Sequence, residues 1–463
     1  MLANTIYSLE PQHKLWHISA SRIICAGELT NFLFDSYSYI IKYQSQKIAL
    51  SVKDMKTLAL LLVMFDGVCE QILLLPQGLS EDQIKSFFKL SGTKIFFSDQ
   101  EITFDTNDVG SVIFNPDIFG SKKESKKDSS VSPYINFTAH DTNWIIPTSG
   151  TTGTPKLVSH NLNSLTKTIN RDINKGKLYN WGLLYDLTRF AGLQVFLQSL
   201  MGGSLLIFTE PLETLEKRIS VLVKAKCSAL SATPTMWRKI LMSENAKQLA
   251  LKQITLGGEI ADNQILLALK ATYPKARLIH IYASTEAGVG FVVNDGFEGF
   301  PVSYLNNPPK GIELVVNQQG FLLLRSKQTT QQYLDKDQIL KENDGFINTG
   351  DLVKKVGERF IFLGRANGAI NVGGNKVQPE EVEEVIRSYE GVKFVSIGAR
   401  KNPITGSLVE AKIVIDKNIK DSTDFKKSLR EHCRQYLEPY KIPGIIKIVD
   451  DIEINAMGKL QRK

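Results

Sequence analysis

Cysteine is scarce in this chain, and long apolar runs are absent. The 463 residues include 4 cysteines, which are scattered and form no CxxC pair. This spacing indicates neither a zinc site nor a disulfide framework. The longest apolar stretch, TLALLLVMF at 57–65, is far too short to span a bilayer. The amino terminus lacks the basic start and apolar core of a signal peptide. We therefore expect a cytoplasmic protein without an integral membrane segment.

Charge is only mildly unbalanced. The chain has 56 Lys and Arg against 48 Asp and Glu, a formal net charge of +8, and 43% hydrophobic residues. This balance favours anionic ligands. The basic run at 122–127, KKESKK, is interrupted by Glu124 and carries no interleaved aromatic residue. We therefore expect a solvated loop there, and no nucleic-acid partner.

Helical and extended patterns alternate along much of the chain. SVKDMKTLALLLVMFDG predicts a buried helix, and SEDQIKSFFKLSG predicts an amphipathic helix capped by its first Ser. Strand patterns follow in QILLLP, KIFFSD, SLLIFTE, SALSATP, KQITLGG and RLIHIYAS. The alternation predicts an α/β fold with a largely parallel sheet flanked by helices. Such sheets bind ligands beyond the carboxyl ends of their strands.

The pattern changes near residue 311. Short alternating segments, GIELVV, GFLLLRS and RFIFLG, predict a small barrel-like β subdomain at about 305–364. A compact α+β pattern follows, with a helix from Glu380 to about Tyr389, strands around 394–399 and 408–415, and a helix near 424–437. We therefore expect a large N-terminal domain at 1–364 and a small, mobile C-terminal domain at 365–463.

The stretch TSGTTGTPK at 148–156 contains no large apolar side chain. Small residues let backbone N–H groups approach a phosphate, hydroxyls add donors, and a Lys neutralises anionic oxygens. The stretch is not the GxxxxGK[ST] loop, because Lys156 follows Pro155 and no Ser or Thr follows it. The alternative is a flexible polar connection. Its place after the apolar segment WII favours a ligand loop.

Five further segments carry phosphate, hydroxyl or metal-binding chemistry. They are LGGEIAD (256–262), IYASTEAG (281–288), NTGDL (348–352), FLGRANG (362–368) and NAMGKLQRK (455–463). Together with the glycine–threonine loop, and in this order, they resemble the signature motifs of the adenylate-forming superfamily. That superfamily comprises acyl-CoA synthetases, nonribosomal-peptide adenylation domains and luciferases. The resemblance covers residues 148–463.

The resemblance implies an ATP-dependent acid–thiol ligase. A carboxylate attacks the α-phosphate of ATP, with Mg²⁺ present, to give an acyl-adenylate and pyrophosphate. The thiol of CoA, or of a carrier protein's phosphopantetheine arm, then captures the acyl group, and the small domain rotates between the two steps. The simplest expectation is an acyl-CoA synthetase. The alternatives are an adenylation enzyme that loads an amino or aryl acid onto a carrier in trans, and a catalytically weak paralogue that acts as a binding protein.

The resemblance also implies which residues bind ATP. The residues that would cradle the β- and γ-phosphates are Thr148, Ser149, Gly150, Thr151, Thr152, Gly153 and Lys156. Those around adenine would be Gly257, Gly258, Glu259, Tyr282, Ala283 and Ser284. Of these, Tyr282 would stack on the ring, and Ala283 replaces the Gly that is common in the family.

The remaining implied roles concern the ribose and the reacting groups. Asp351 would accept hydrogen bonds from the ribose hydroxyls, assisted by Arg365. Thr285 would bond the α-phosphate, and Glu286 would hold Mg²⁺. Lys459 would bridge the carboxylate and the α-phosphate, which stabilises charge in the transition state.

Two segments of the small domain would serve domain rotation and thiol capture. Asn367 stands at the hinge, where the family usually has Asp or Lys. The thiol tunnel would be lined by Val372, Gly373, Gly374 and Lys376. Lys376 keeps the charge of the Arg that is often found there but loses its bidentate fork.

The segment at 181–208 is expected to line the acyl pocket, but its alignment stays open. If Tyr185–Asp186 matches the Phe-Asp pair of amino-acid-activating domains, Asp186 would bind a substrate ammonium. If Gly192 fixes the register, Arg189 lies nearest the carboxylate and favours an acidic or polar acid. The alternative for both is a structural ion pair or helix cap. Phe190 would be pocket wall or plain core.

Overall fold

A computed structural model describes residues 1–102, 104–106, 108–113, 140–148, 156–285, 288–309, 311–326, 332–333, 345–403, 405–416, 418–419, 422–455 and 458–460. The basic run at 122–127 lies outside these ranges. The helices are α1 Leu2–Tyr7, α2 Ala26–Asp35, α3 Tyr37–Ile40, α4 Met55–Phe65, α5 Glu81–Ser91, α6 Leu162–Thr166, α7 Ile173–Gly176, α8 Phe190–Gly202, α9 Leu215–Lys224, α10 Pro234–Met242, α11 Asn263–Thr272, α12 Ser303–Asn306, α13 Pro379–Arg387 and α14 Ser422–Tyr436.

The strands follow the predicted alternation with these helices. They are β1 Lys14–Ser19, β2 Arg22–Cys25, β3 Lys47–Ser51, β4 Gln71–Leu74, β5 Ile95–Ser98, β6 Gly110–Ile113, β7 Asn143–Pro147, β8 Leu157–His160, β9 Asn180–Leu183, β10 Leu205–Phe208, β11 Ala229–Ala232, β12 Gln253–Gly257, β13 Arg277–Ser284, β14 Gly288–Val293, β15 Phe300–Pro301, β16 Ile312–Val316, β17 Phe321–Ser326, β18 Gln332–Tyr333, β19 Ile347–Val356, β20 Arg359–Arg365, β21 Ile370–Val372, β22 Asn375–Val377, β23 Val392–Asn402, β24 Gly406–Ile415 and β25 Ile445–Ile448.

Two large sheets form the first part of the chain. The eight-stranded sheet has the order β14-β13-β12-β11-β9-β10-β1-β2, and its interior pairs are parallel. Antiparallel partners, β2 and β14, close its two edges. The seven-stranded sheet has the order β18-β8-β7-β4-β3-β5-β6, with parallel pairing from β7 to β6. In both sheets the loops after parallel strands meet at one edge, where ligands are expected.

Helices α4 and α5 lie where the apolar pattern of the sequence predicts them. Helix α4 is apolar on nearly all sides, and every residue from Thr57 to Phe65 is buried. A helix of that kind belongs between layers and not at a surface. Helix α5 begins with the predicted Ser80 cap, which forms a reciprocal capping box with Gln83. Gly92 ends α5 with a φ of +65°, the left-handed value that glycine adopts at little cost.

The later part of the chain contains two smaller sheets with cores of their own. Strands β15, β20, β19, β17 and β16 form a five-stranded antiparallel sheet around Phe291, Phe300 and Leu324. Strands β23, β24 and β25 form a three-stranded sheet that packs with α13 and α14 around another core. The predicted fold class, a large part with mostly parallel sheets followed by a small α+β unit, is confirmed. No helix in the described ranges is long and apolar enough to cross a membrane.

Candidate active site

A cavity of about 300 Å³ lies against β11, β12 and β13 and extends to the segments that follow β12 and β13 at their carboxyl ends. Strand β12 ends at Gly257 and β13 at Ser284, so the sheet places both segments that follow at one edge. The predicted site residues that line this cavity are Tyr185, Asp186, Arg189, Phe190, Gly257, Gly258, Ala283, Ser284, Thr285 and Lys459. The structure therefore brings together residues separated by up to 274 positions, from Tyr185 to Lys459.

The glycine–threonine loop begins and ends on an antiparallel pair of strands. Strand β7 ends at Pro147 and β8 begins at Leu157, and these two residues are cross-strand partners. The Thr148 N–H donates to the Lys156 carbonyl at 2.7 Å, and the Lys156 N–H donates to Thr148 Oγ1 at 3.2 Å. Ser149, Gly150, Thr151, Thr152 and Gly153 lie outside the described residues.

Arg189 joins the base of this loop to the cavity. Its Nη1 donates to the Pro147 carbonyl at 3.0 Å, at the end of β7. Its Nε is buried and has no hydrogen-bond partner among the residues that the structure describes. Burial lowers the pKa of the Arg189 guanidinium, and the nearby Asp186 carboxylate opposes this shift. Arg189 lines the cavity, so its guanidinium lies beside the space that a ligand would occupy.

Asp186 already has partners within its own turn. Its Oδ1 accepts hydrogen bonds from the Thr188 N–H and from the Thr188 hydroxyl, both at 2.8 Å. This is the local side-chain-to-backbone arrangement in which Asp stabilises a turn. These contacts agree with a structural role for Asp186, which was the alternative to a role in binding the substrate. They involve only one of its two carboxylate oxygens.

His160 was not singled out by the sequence. It ends β8 with only 2% of its surface exposed, and its Nε2 lies 2.9 Å from the Thr285 carbonyl. Burial lowers the pKa of His160 to about 4, although the carbonyl opposes this shift. The ring is therefore neutral at pH 7, and Nε2 donates to the carbonyl. The bond joins the end of the glycine–threonine hairpin to the turn at Thr285. The sequence feature that could have indicated His160 is its position at the end of the apolar strand LVSH.

Asp351 is held by two of the other predicted residues. The Tyr282 hydroxyl donates to Asp351 Oδ2 at 2.5 Å, and Arg365 Nε donates to Asp351 Oδ1 at 3.1 Å. Asp351 and Arg365 are cross-strand partners on β19 and β20, which explains their meeting. Burial and the adjacent Asp351 carboxylate raise the pKa of the Tyr282 phenol, so the hydroxyl remains a donor.

The ring of Tyr282 packs among other aromatic rings. Its centroid lies 5.0 Å from that of Phe291 and 5.3 Å from that of Phe362, with interplanar angles of 16° and 12°. Adenine stacking on Tyr282 was expected from the sequence. In this arrangement a base would have to share the ring with those two Phe side chains. The hydroxyl of Tyr282, in contrast, is already directed at Asp351.

Lys459 reaches the cavity across Gly258. A Cβ built on Gly258 would lie 3.1 Å from Lys459 Cε and 3.5 Å from Nζ, and the φ of Gly258 is +80°. Both the close approach and the left-handed backbone therefore favour glycine here. The Thr233 hydroxyl donates to the Gly458 carbonyl, on one side of Lys459. On the other side, the Leu460 N–H donates to Glu259 Oε1 at 3.3 Å.

Glu259 has a contact that the sequence did not indicate. Its Oε2 accepts from the Thr235 N–H at 2.9 Å, in the first turn of α10, while its Oε1 accepts from Leu460. The carboxylate thus joins a helix N-terminus, where negative charge is favourable, to the segment that carries Lys459.

Several predicted residues are not brought to the cavity. Val372 is buried, and Gly373 and Gly374 form the turn between β21 and β22, where the Gly373 N–H donates to the Thr405 carbonyl at 2.9 Å. Neither these residues nor the exposed Lys376 line the cavity. Asn367 is exposed in the short 3₁₀ turn Ala366–Gly368, and Glu286 lies outside the described residues.

The fold and the cavity together define a class. The site combines a parallel α/β sheet with a glycine–threonine loop at the edge of a sheet. A lysine from the later α+β unit reaches the same site. These are the parts of a nucleotide-binding enzyme. The chain belongs to the AMP-binding enzyme family. The family's sequence profile matches residues 72–334, and that of the AMP-binding enzyme C-terminal domain matches residues 381–459. The predicted membership of the adenylate-forming superfamily is confirmed.

The relatives include ligases with both kinds of thiol acceptor. The chain is 27% identical over 330 residues to 2-succinylbenzoate–CoA ligase of Listeria monocytogenes serotype 4b (strain F2365), covering 69% of this chain and 68% of the relative. It is 24% identical over 408 residues to D-alanine–D-alanyl carrier protein ligase of Staphylococcus aureus (strain JH9), covering 83% and 82%. The prediction of an AMP-forming acid–thiol ligase is confirmed at the level of the family.

A solved structure extends the likeness to the whole fold. O-succinylbenzoate coenzyme A synthetase from Bacillus subtilis, in complex with ATP and a magnesium ion, superposes with a TM-score of 0.72 at 18% identity. The superposition covers 99% of this chain and 98% of that chain. At this identity the likeness concerns the fold.

Proposed function

We propose that this protein activates a small carboxylic acid with ATP and Mg²⁺ and then transfers the acyl group to a thiol, most simply that of CoA. The observation that carries the proposal is the position of Lys459, whose side chain crosses Gly258 into the cavity that Thr285 and Arg189 also line. Acid activation needs a cation where a carboxylate meets the α-phosphate, because negative charge builds there in the transition state.

The nucleotide would lie near the place where His160, at the end of β8, meets Thr285, which follows β13. Thr148 and Lys156, at the base of the glycine–threonine loop, would hold the terminal phosphates together with the loop itself. Asp351, fixed by Tyr282 and Arg365, would accept hydrogen bonds from the ribose hydroxyls. In this arrangement Tyr282 orients Asp351, in addition to the role beside adenine that its motif implies.

The cavity offers oxygen ligands suited to a magnesium–phosphate complex. Ser284 and Thr285 line it, and hydroxyl, carbonyl and phosphate oxygens are the hard donors that Mg²⁺ prefers. When bound, the ion would neutralise phosphate charge, with Glu286 as its proposed protein ligand. Thr285 would bond the α-phosphate from the position that His160 fixes through the Thr285 carbonyl.

The acid would contact Arg189 and not Asp186. Arg189 lines the cavity and its buried Nε has no partner within the described ranges, whereas one oxygen of Asp186 is already engaged by Thr188. Transfer of a guanidinium into a half-buried position is costly unless a ligand supplies the missing acceptor. We therefore propose an acidic or polar acid, with a second acceptor group besides the carboxylate that reacts, as the substrate.

Thiol capture would require the small domain to move. The turn at Gly373 and Gly374, proposed to line the thiol tunnel, lies outside the cavity while Lys459 is inside it. We propose a boundary between domains 1–364 and 365–463, with Asn367 at the hinge. Rotation there would withdraw Lys459 and bring the glycine turn to the acyl-adenylate. The Cys25, Cys69, Cys227 and Cys433 thiols are free, which supports a reducing compartment such as the cytoplasm.

The experiment that tests the proposal is pyrophosphate release with Mg-ATP across aliphatic, aryl, amino and dicarboxylic acids, each with and without CoA. Release that depends on one acid class would establish adenylation, and consumption of CoA would identify the acceptor. Release without CoA consumption, followed by transfer to a purified carrier protein, would favour the carrier-loading alternative. Measurable ATP binding without release from any acid would favour the binding paralogue and contradict the proposal.

A further inference from the structure

A buried ion-pair cluster joins the large part of the protein to the α+β unit. Asp262 Oδ2 accepts from Arg387 Nη1 at 2.7 Å and also from Arg238 Nη2. The side chains of Arg387 and Asp262 are only 13% and 11% exposed. Arg238 lies on α10 and Asp262 immediately precedes α11, whereas Arg387 ends α13 of the small unit. The pair therefore crosses the interface between the two parts.

Asp262 keeps a partner whether or not Arg387 is present. Arg238 binds the same oxygen, and Asp262 Oδ1 accepts from the Ile265 N–H at 3.1 Å as the cap of α11. Breaking a buried pair is costly mainly because it leaves an uncompensated buried charge. Here the departure of Arg387 leaves the carboxylate paired on the large side. The contact can therefore form and break without a large penalty, as a contact within a catalytic cycle must.

The cluster lies on the same interface as the segment that bears the catalytic lysine. Lys239, also on α10, bonds Asp451 Oδ1 at 2.9 Å, eight residues before Lys459. The Gly458 and Leu460 backbones meet Thr233 and Glu259 at the start of α10 and the end of β12. Docking of α13 on Asp262 and entry of Lys459 into the cavity thus involve one continuous surface.

We propose that Arg387 is a positioning residue for the first half-reaction: it docks the small domain on Asp262 and so places Lys459 in the cavity. The kinetic part of this inference rests on the proposed function, in which Lys459 acts in adenylation only. Arg387 touches neither nucleotide nor acid in this role. Its loss would lower the fraction of molecules in the docked arrangement and leave the cavity itself intact.

The test compares Arg387→Gln and Arg387→Lys with a matched control, Arg434→Gln. Arg434 lies on α14 of the same unit and pairs with Glu431 at the surface. For Arg387→Gln we expect adenylation to slow by about tenfold, and thioester formation from preformed acyl-adenylate to stay equal or rise. Arg387→Lys keeps the charge without the guanidinium fork and should recover part of the loss. The control should match the wild type in both half-reactions.

A second measurement needs no acid substrate. Hydrogen exchange of the Leu460 amide, which donates to Glu259 across the interface, reports docking directly. We expect faster exchange of this amide in Arg387→Gln, with exchange in β23 and β24 unchanged if the small unit remains folded. Faster exchange in those strands as well would attribute the effect to unfolding and overturn the proposal. Equal slowing of both half-reactions, or unchanged exchange at Leu460, would also overturn it. A wild-type protein inactive with every acid would contradict the proposed function instead, and leave the exchange result to decide the docking role.

Discussion

The Tyr282 hydroxyl donates a 2.5 Å hydrogen bond to Asp351 Oδ2, while Arg365 binds the other oxygen of the same carboxylate. Tyr282 and Asp351 lie 69 positions apart, on β13 and β19. A carboxylate fixed on both sides presents its remaining lone pairs in one direction, which suits recognition of a diol.

Asp351→Asn should therefore weaken nucleotide binding. We expect the KM for ATP to rise by roughly tenfold to a hundredfold, since hydrogen bonds to charged groups contribute about 1.5–3 kcal/mol. Tyr282→Phe keeps the aromatic packing with Phe291 and Phe362 and removes only the donor, so its effect should be smaller. Steady-state kinetics in ATP at saturating acid would measure both. An unchanged KM for ATP in Asp351→Asn would exclude Asp351 from ribose recognition.

Lys459→Ala should remove most of the adenylation activity. We expect pyrophosphate release to fall by about 10²–10³, the range for loss of one group that stabilises developing charge, with the Kd for ATP within about threefold of wild type. Lys393→Ala is the matched control, because Lys393 pairs with Asp416 at the surface of the small unit. Burst kinetics and nucleotide titration would separate the two quantities. Normal release in Lys459→Ala would remove the lysine from the mechanism.

Arg189→Gln should alter acid recognition selectively. We expect the KM for the acid to rise by about tenfold or more and the KM for ATP to stay constant, because Arg189 lines the cavity that would hold the acid. Asp186→Asn is the contrasting variant. It should lower the free energy of unfolding by about 1 kcal/mol through its bonds to Thr188, without a change in the order of preferred acids. A new preference for acids without an ammonium group in Asp186→Asn would restore the amino-acid alternative.

Local pattern was sufficient to predict several elements of this fold. Helix α4 was predictable because nearly every position is apolar, and α5 because Ser80 and Gln83 form a capping box at a recognisable spacing. The resemblance to the superfamily's motifs implied that Gly257, Thr285 and Lys459 serve one site, and all three line the cavity.

Contacts between distant segments could not be read from the sequence. His160 meets Thr285, and Asp262 meets Arg387, across 125 positions in each case. Neither separation follows the period of a helix or a strand, because these contacts depend on how whole elements pack against one another. The choice between Asp186 and Arg189 was open for a similar reason. It depends on the orientation of the Thr188 hydroxyl and on which donor is left without a partner.

His160 should make stability depend on pH on the acid side. Its pKa in the folded protein is about 4, against an ordinary value of 6.5. Above pH 6.5 the ring is neutral in both states and carries no penalty. As the pH falls from 6.5 towards 4, the unfolded chain takes up a proton that the folded chain does not. The free energy of unfolding should then decrease by up to about 3 kcal/mol.

Urea titrations at pH 5 and pH 7 would measure this effect. His160→Asn should reduce the difference between the two pH values, whereas His140→Asn, at a surface site beside Ser45, should not. An equal difference in wild type and His160→Asn would assign the pH dependence to other groups.

Glu298 should make domain docking weaker as the pH rises. Burial, and then the Glu384 carboxylate on the small unit, raise the pKa of Glu298 to about 7 from 4.5; Asp262 adds to the shift and Arg387 opposes it. Arg359, which donates to the Glu298 carbonyl, pairs with Asp295. The Glu384 carboxylate of the small unit raises this pKa more than Arg387 lowers it, so the docked arrangement favours the protonated carboxyl, and docking should weaken as the pH rises through about 7 and Glu298 ionises.

Exchange of the Leu460 amide between pH 6 and pH 8, corrected for the intrinsic rate, would report this dependence. Glu298→Gln cannot ionise, so it should flatten the profile while it keeps the size of the side chain. A profile of wild-type steepness in Glu298→Gln would show that Glu298 does not control docking.

The segment that carries Lys459 is recognised through its main chain. Thr233 donates to the Gly458 carbonyl, and Glu259 accepts from the Leu460 N–H. A small molecule that offers a carbonyl to Thr233 and an N–H to Glu259 would therefore occupy the place of this segment and exclude the lysine. Such an inhibitor would not need to resemble adenine or triphosphate. Its selectivity among ATP-using enzymes would come from this contact between the small unit and the large part, because the contact involves neither adenine nor phosphate.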